Sequence, residues 1–142
     1  MRRQLTTTDG RTDYGGLLDG DRRRQGSGTT PLGTYGLIST FGTHASDFYN
    51  QLRNQRDGGF RWWLPASDPD SSERLTDYPR QYEWSIVTDF NVEQVRHRGS
   101  GIFLHVNGRG ATAGCVSAPR RFIRSLVRLL DPARVPVIGI GR

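Results

Sequence analysis

The sequence predicts a mostly-β domain, β-sandwich-like with mixed sheets, one C-terminal helix over about residues 118–130 and long irregular loops. Three observations carry this. Glycine (18) and proline (7) are frequent while apolar residues reach only 34%, a balance that suits many short elements joined by turns. Two segments in the second half alternate apolar and polar residues with the period of a strand. One segment alone has clear helical spacing. A length of 142 residues fits a single domain spanning 1–142.

Residues 5–40 read as short strands and turns: L-T-T-T, Y-G-G-L-L and T-Y-G-L-I-S-T. The Asp-Gly pairs at 9–10 and 19–20 are hairpin signals, because glycine accepts the positive φ of a tight turn. Residues 41–80 lack periodicity and read as long excursions with one short helix near Ser46–Arg53. Y-E-W-S-I-V-T-D-F then alternates, with Tyr82, Trp84 and Ile86 on one face. S-G-I-F-L-H-V-N places Ile102, Leu104 and Val106 opposite Phe103 and His105. A charged loop, V-E-Q-V-R-H-R-G, joins the two. Pro119 opens the helix, where its missing N–H costs nothing, and Phe122, Ile123, Leu126, Leu129 and Leu130 form its apolar stripe. Asp131-Pro132 ends it, and V-P-V-I-G-I-G closes the chain as a strand.

The charge balance is +6, and every one of the 20 basic side chains is arginine. Such a charge draws a protein towards anionic surfaces. The arginines are scattered, however, and no RNA-recognition, zinc-finger or helix-turn-helix pattern surrounds them, so no specific nucleic-acid partner is expected. Arg22–Arg24 reads as a solvated loop. The Gly-rich run after it has no Walker pattern and the chain has no lysine, which excludes a phosphate-binding P-loop. A lone cysteine excludes an internal disulfide framework. His44, His97, His105 and Cys115 match no compact ligand spacing, so neither a metal nor another cofactor is expected. No apolar run reaches the 18 residues of a membrane span. The double arginine of M-R-R-Q-L-T-T-T-D-G is not followed by the apolar stretch of an export signal.

The one chemically distinctive stretch is G-I-F-L-H-V-N-G-R-G-A-T-A-G-C-V-S-A-P, residues 101–119. A thiol attacks carbonyls as a thiolate, so a nucleophilic cysteine needs a base or a cation beside it. His105, on a strand end, offers the base; the small residues Ala111–Gly114 let a substrate backbone come close. Backbone N–H groups around Cys115, just before a helix N-terminus, offer an oxyanion site. Residue chemistry alone also leaves the bland reading open, in which Cys115 is a buried apolar side chain and His105 a hydrogen-bonded strand histidine. Phe60, Trp62 and Trp63 likewise read as core or as an exposed sugar-stacking platform.

I-F-L-H followed by T-A-G-C-V resembles the active-site motif of the YkuD-type L,D-transpeptidases, bacterial cell-wall enzymes with a strand-end histidine and a Ser/Thr-His-Gly-Cys loop. G-S-G-T-T-P-L-G-T-Y, S-E-R-L, Y-E-W-S-I-V-T-D-F-N and L-L-D-P…V-P-V-I-G-I-G resemble further blocks of that family, in order, over about residues 20–142. The resemblance implies a cysteine-dependent L,D-transpeptidase acting on peptidoglycan stem peptides, in an extracytoplasmic setting that requires an export or anchor segment upstream. It implies Cys115 as nucleophile, His105 as base, the Val106 carbonyl as its orienting partner, and the backbone of Gly114 and Cys115 as the oxyanion site. Thr112, Ser117, Asn107 and Tyr49 are the implied substrate contacts, and β-lactams of the carbapenem class the implied inhibitors. The alternatives are an L,D-carboxypeptidase, in which water resolves the thioester, and a catalytically weak peptidoglycan-binding relative. Ala113 stands where the family usually has histidine, Ser117 where many members carry Asn or Arg, and the loop after His105 is short.

Overall fold

The computed structural model describes residues 17–42, 50–53, 60–64 and 75–141. The first strand, β1 (Leu17–Asp19), is followed by the long β2 (Thr30–Phe41), then β3 (Asn50–Arg53) and β4 (Phe60–Leu64). After a single 3-10 turn at Leu75–Asp77 come β5 (Ser85–Thr88), β6 (Phe103–Val106) and β7 (Val116–Ala118). Helix α1 (Arg120–Leu129), a 3-10 turn at Pro132–Arg134 and β8 (Val137–Ile140) complete the chain. The fold is mostly β: a curled six-stranded mixed sheet in the order β1-β2-β5-β6-β7, with β8 also paired to β2, and a two-stranded sheet of β3 and β4.

β2 organises the sheet by changing partners along its length. Its first residues run parallel to β1, Gly33–Gly36 pair antiparallel with β8, and Leu37–Phe41 pair antiparallel with β5. The register shifts between Leu37 and Ser39, at the start of the β5 pairing; such an irregularity adds local bend and twist.

The alternation of β5 and β6 divides the core between two faces of the sheet. Ile86, Leu104 and Val106 join Val116, Ala118, Ile123, Ile138 and Ile140 on the face covered by α1. Val87 and Phe103 point the other way, into a cluster with Phe41, Leu75, Tyr82 and Cys115. The aromatic rings of this second cluster meet edge-on and stacked, with the Phe41 and Phe103 centroids 5.0 Å apart.

Several local expectations are corrected. Asp19-Gly20 does not close a hairpin: β1 and β2 are parallel, so their connection is a longer crossing loop, while the pair at 9–10 lies outside the described residues. Asn50–Arg53 is a strand rather than the end of a helix, because β4 supplies a ladder partner that local propensity does not reveal; residues 46–49 lie outside the described residues. Tyr82 does not share a face with Ile86. Residues 79–83 form turns before β5, so the alternation breaks and Tyr82 enters the second cluster while Trp84 packs against the first. The helix begins at Arg120, with Pro119 as its N-cap. Its stripe is Phe122, Ile123, Leu126, Val127 and Leu130; Leu129 is 79% exposed, because it lies a residue off that face.

Candidate active site

β6 and the residues running into β7 bring His105 and Cys115 to one face of the sheet. The parallel ladder matches Leu104 with Val116, His105 with Ser117 and Val106 with Ala118. Phe103, His105, Cys115 and Ser117 therefore share the face opposite α1, and Phe103 and Cys115 are packed in the same cluster. Strand spacing and rise put the Cα atoms of His105 and Cys115 about 8 Å apart on the diagonal, a span that side chains pointing from one face can bridge.

His105 is 6% exposed and held on two sides. Its Nδ1 lies 2.8 Å from the Val106 carbonyl oxygen. A carbonyl only accepts, so Nδ1 carries the proton and Nε2 keeps the lone pair. The Tyr82 ring covers the imidazole at a centroid distance of 5.1 Å. Burial pushes the His105 pKa below its ordinary value of 6.5, and the bond to Val106 opposes that shift without cancelling it. The ring is thus a neutral base around pH 7.

Cys115 is 9% exposed, and its sulfur is placed by backbone groups. The thiol donates to the Gly101 carbonyl at 3.3 Å, and Sγ accepts from the Phe103 N–H at 3.4 Å. Gly114, just before it, is buried with φ +108°, and a Cβ there would stand 2.8 Å from the Thr29 carbonyl oxygen. Only glycine fits both conditions. The Thr112 hydroxyl donates to the Cys115 carbonyl, which ties the loop back on itself.

The remaining expected residues are distributed unevenly. Ser117 is buried opposite His105, on the same face. Asn107 is exposed at the end of β6, where its backbone N–H donates to Ala118. The side chain of Val106 belongs to the core on the α1 face, so only its carbonyl serves the site. Ala113 is exposed. Tyr49 and His44 lie outside the described residues, as do the side chains of Phe60, Trp62 and Trp63. The helix does not directly follow Cys115: β7 intervenes, and α1 starts at Arg120. Among the described residues no group of three or more His, Cys, Asp or Glu side chains could hold a metal ion.

Two neighbours of the site escaped the sequence reading. Tyr82 reaches His105 from a turn, which strand alternation does not reveal. Arg23 is the second. Arg22 and Arg24 are exposed, as a solvated triple predicts, but Arg23 between them is 3% exposed beneath Gly114. An arginine flanked by arginines carries no sequence signal of burial.

The chain matches the YkuD family, the L,D-transpeptidase catalytic domain, over residues 2–138. It belongs to that family. YkuD domains act on peptidoglycan stem peptides, so the chain is of the L,D-transpeptidase type. No curated protein and no solved structure matches it. Among the described residues of this YkuD domain, no helix is long and apolar enough to cross a membrane.

Proposed function

We propose that the chain is a single catalytic domain over residues 1–142 that works as a cysteine-dependent L,D-transpeptidase, cross-linking or remodelling the cell wall outside the cytoplasmic membrane. The observation that carries the reading is the shared face of His105 and Cys115, with the imidazole tied through Nδ1 to the Val106 carbonyl. That bond leaves Nε2 as the free base on the face the thiol occupies. In the proposed reaction Nε2 takes the Cys115 proton, and the sulfur attacks the carbonyl between the L-centre and the terminal D-Ala of a donor stem peptide. Negative charge on the carbonyl oxygen is met by backbone N–H groups of Gly114 and Cys115. The protonated His105 gives its proton to the departing D-Ala amine as the C–N bond breaks, leaving a thioester. An amine from a second stem then attacks the thioester, restores the thiol and forms the cross-link. Thr112 supports this by bracing the Cys115 peptide, and Ser117 and Asn107 flank the base at the end of β6. Tyr49 is retained as a substrate contact by family resemblance alone.

The test is acylation by a carbapenem, read by intact mass with Cys115→Ala as control. One adduct on the wild type and none on the variant is expected; a folded wild-type protein that gains no adduct overturns the reading. Incubation with a tetrapeptide stem, with and without an acceptor amine, then separates transfer from hydrolysis. His105→Ala should fold and acylate at least about a hundredfold more slowly, the usual contribution of a positioned base.

A further inference from the structure

Arg23 is a charged side chain that this mechanism leaves unused, although it is almost wholly buried next to the nucleophile loop. Its Nε donates to the Thr29 carbonyl at 2.7 Å, and its Nη1 to the Arg98 carbonyl at 3.0 Å. The guanidinium carbon lies 5.5 Å from the centroid of Phe90, against the ring face. Two glycines make room for the group. A Cβ on Gly99 would come 2.2 Å from Nη1, and a Cβ on Gly114 2.9 Å from Nη2. The guanidinium thus touches the loop between β1 and β2, the loop between β5 and β6, and the loop that ends at Cys115.

Those contacts bracket the two segments that hold the sulfur. The Cys115 thiol donates to the Gly101 carbonyl and accepts from the Phe103 N–H, just past the Arg98 carbonyl that Arg23 holds. Gly114, against Nη2, sets the direction in which the backbone delivers Cys115. From these contacts we infer that Arg23 is a positioning residue for the nucleophile, its planar fork clamping both loops while its charge favours the thiolate of Cys115. The inference rests on the reading of Cys115 as nucleophile and adds a residue to that site. A lysine cannot reproduce the geometry, since an ammonium lacks the rigid fork that donates in separate directions. A buried cation packed against the residue before the nucleophile lowers the cost of ionising the thiol. Among the described residues, the titratable groups around these segments include His105 from β6, Tyr82 from the turn before β5, and Tyr35 of β2, which interacts with Asp89, Arg98, Asp21 and Arg23.

The experiment measures the rate of Cys115 alkylation by iodoacetamide against pH, read by intact mass on folded protein. The wild-type midpoint should lie below the ordinary cysteine value of about 8.5. Arg23→Gln should raise it by about one unit, which makes alkylation at pH 7 roughly tenfold slower. Arg23→Lys should recover part of the shift through its charge, without the wild-type rate of carbapenem acylation. A wild-type midpoint at or above the ordinary value, or a folded Arg23→Gln protein with the wild-type midpoint, overturns the inference. If Arg23→Gln does not fold, His105→Gln decides: a midpoint still depressed without the imidazole supports Arg23, and a return to the ordinary value refutes it. Alkylation needs no stem peptide, so a depressed midpoint in a protein that no carbapenem acylates would remove the transpeptidase reading and leave the role of Arg23 standing.

Discussion

Replacing Gly114 by alanine tests whether the backbone geometry before Cys115 is imposed by packing. The substitution adds one methyl group to a buried position with φ +108°, a region L side chains rarely adopt. Backbone strain of this kind costs about 1–3 kcal/mol. The methyl would also stand 2.8 Å from the Thr29 carbonyl oxygen, 2.9 Å from Arg23 Nη2 and 3.3 Å from Ile102 Cδ1. A backbone carbonyl cannot swing aside as a flexible side-chain end can, so overpacking adds about 1–3 kcal/mol. Gly110 supplies the control: its φ is +86°, but nothing lies within 4 Å of the corresponding Cβ. Gly110→Ala therefore carries strain alone. At about 3 °C per kcal/mol for a chain of this size, Gly114→Ala should melt roughly 6–18 °C below wild type and Gly110→Ala about 3–9 °C below, with the Gly114 variant the lower of the two. Thermal unfolding followed by circular dichroism reads both. Equal melting temperatures for the two variants would falsify the claim that Thr29 and Arg23 close the space under Gly114.

Two further outcomes follow from the same structure. Because burial lowers the His105 pKa, the unfolded chain binds a proton more readily than the folded one as pH falls through about 6.5. The stability linked to this neutral ring is full above that pH, declines as pH falls towards the lowered folded value, and levels off below it. His105→Gln should flatten the fall in melting temperature between pH 7 and pH 5, and parallel curves for the two proteins would contradict the assignment. On the helix, Ile123 is fully buried and Leu129 is 79% exposed. In urea titrations Ile123→Ala should lose about 2–5 kcal/mol, while Leu129→Ala should stay within about 0.5 kcal/mol of wild type; similar losses would mean the helix docks by another face.

The helix shows how far local pattern reaches. The spacing of Phe122, Ile123, Leu126 and Leu130 is a property of the segment itself, and the structure buries that stripe. Leu129 lies at the edge of the helical stripe, and only the docking of the helix decides that Val127 is covered and Leu129 exposed. The alternation in β6 was equally legible, since Leu104 and Phe103 must point to opposite faces whatever the strand pairs with. Tyr82 was not, because the turn that reverses its direction depends on contacts made elsewhere. Among these is the Val106 N–H, which donates to the Gln81 carbonyl.

By itself the sequence determined the mostly-β class, the single helix, the strand that carries His105, and the family to which the I-F-L-H and T-A-G-C-V blocks belong. These depend on residue type and short-range periodicity. The tertiary structure alone decided that β6 and β7 run parallel with His105 opposite Ser117, which sets the thiol and the imidazole on one face. It also decided that Arg23, and not its two neighbours, lies beneath Gly114. Register and burial are long-range quantities: each depends on which distant segment supplies the partner, and no window of local sequence contains that partner.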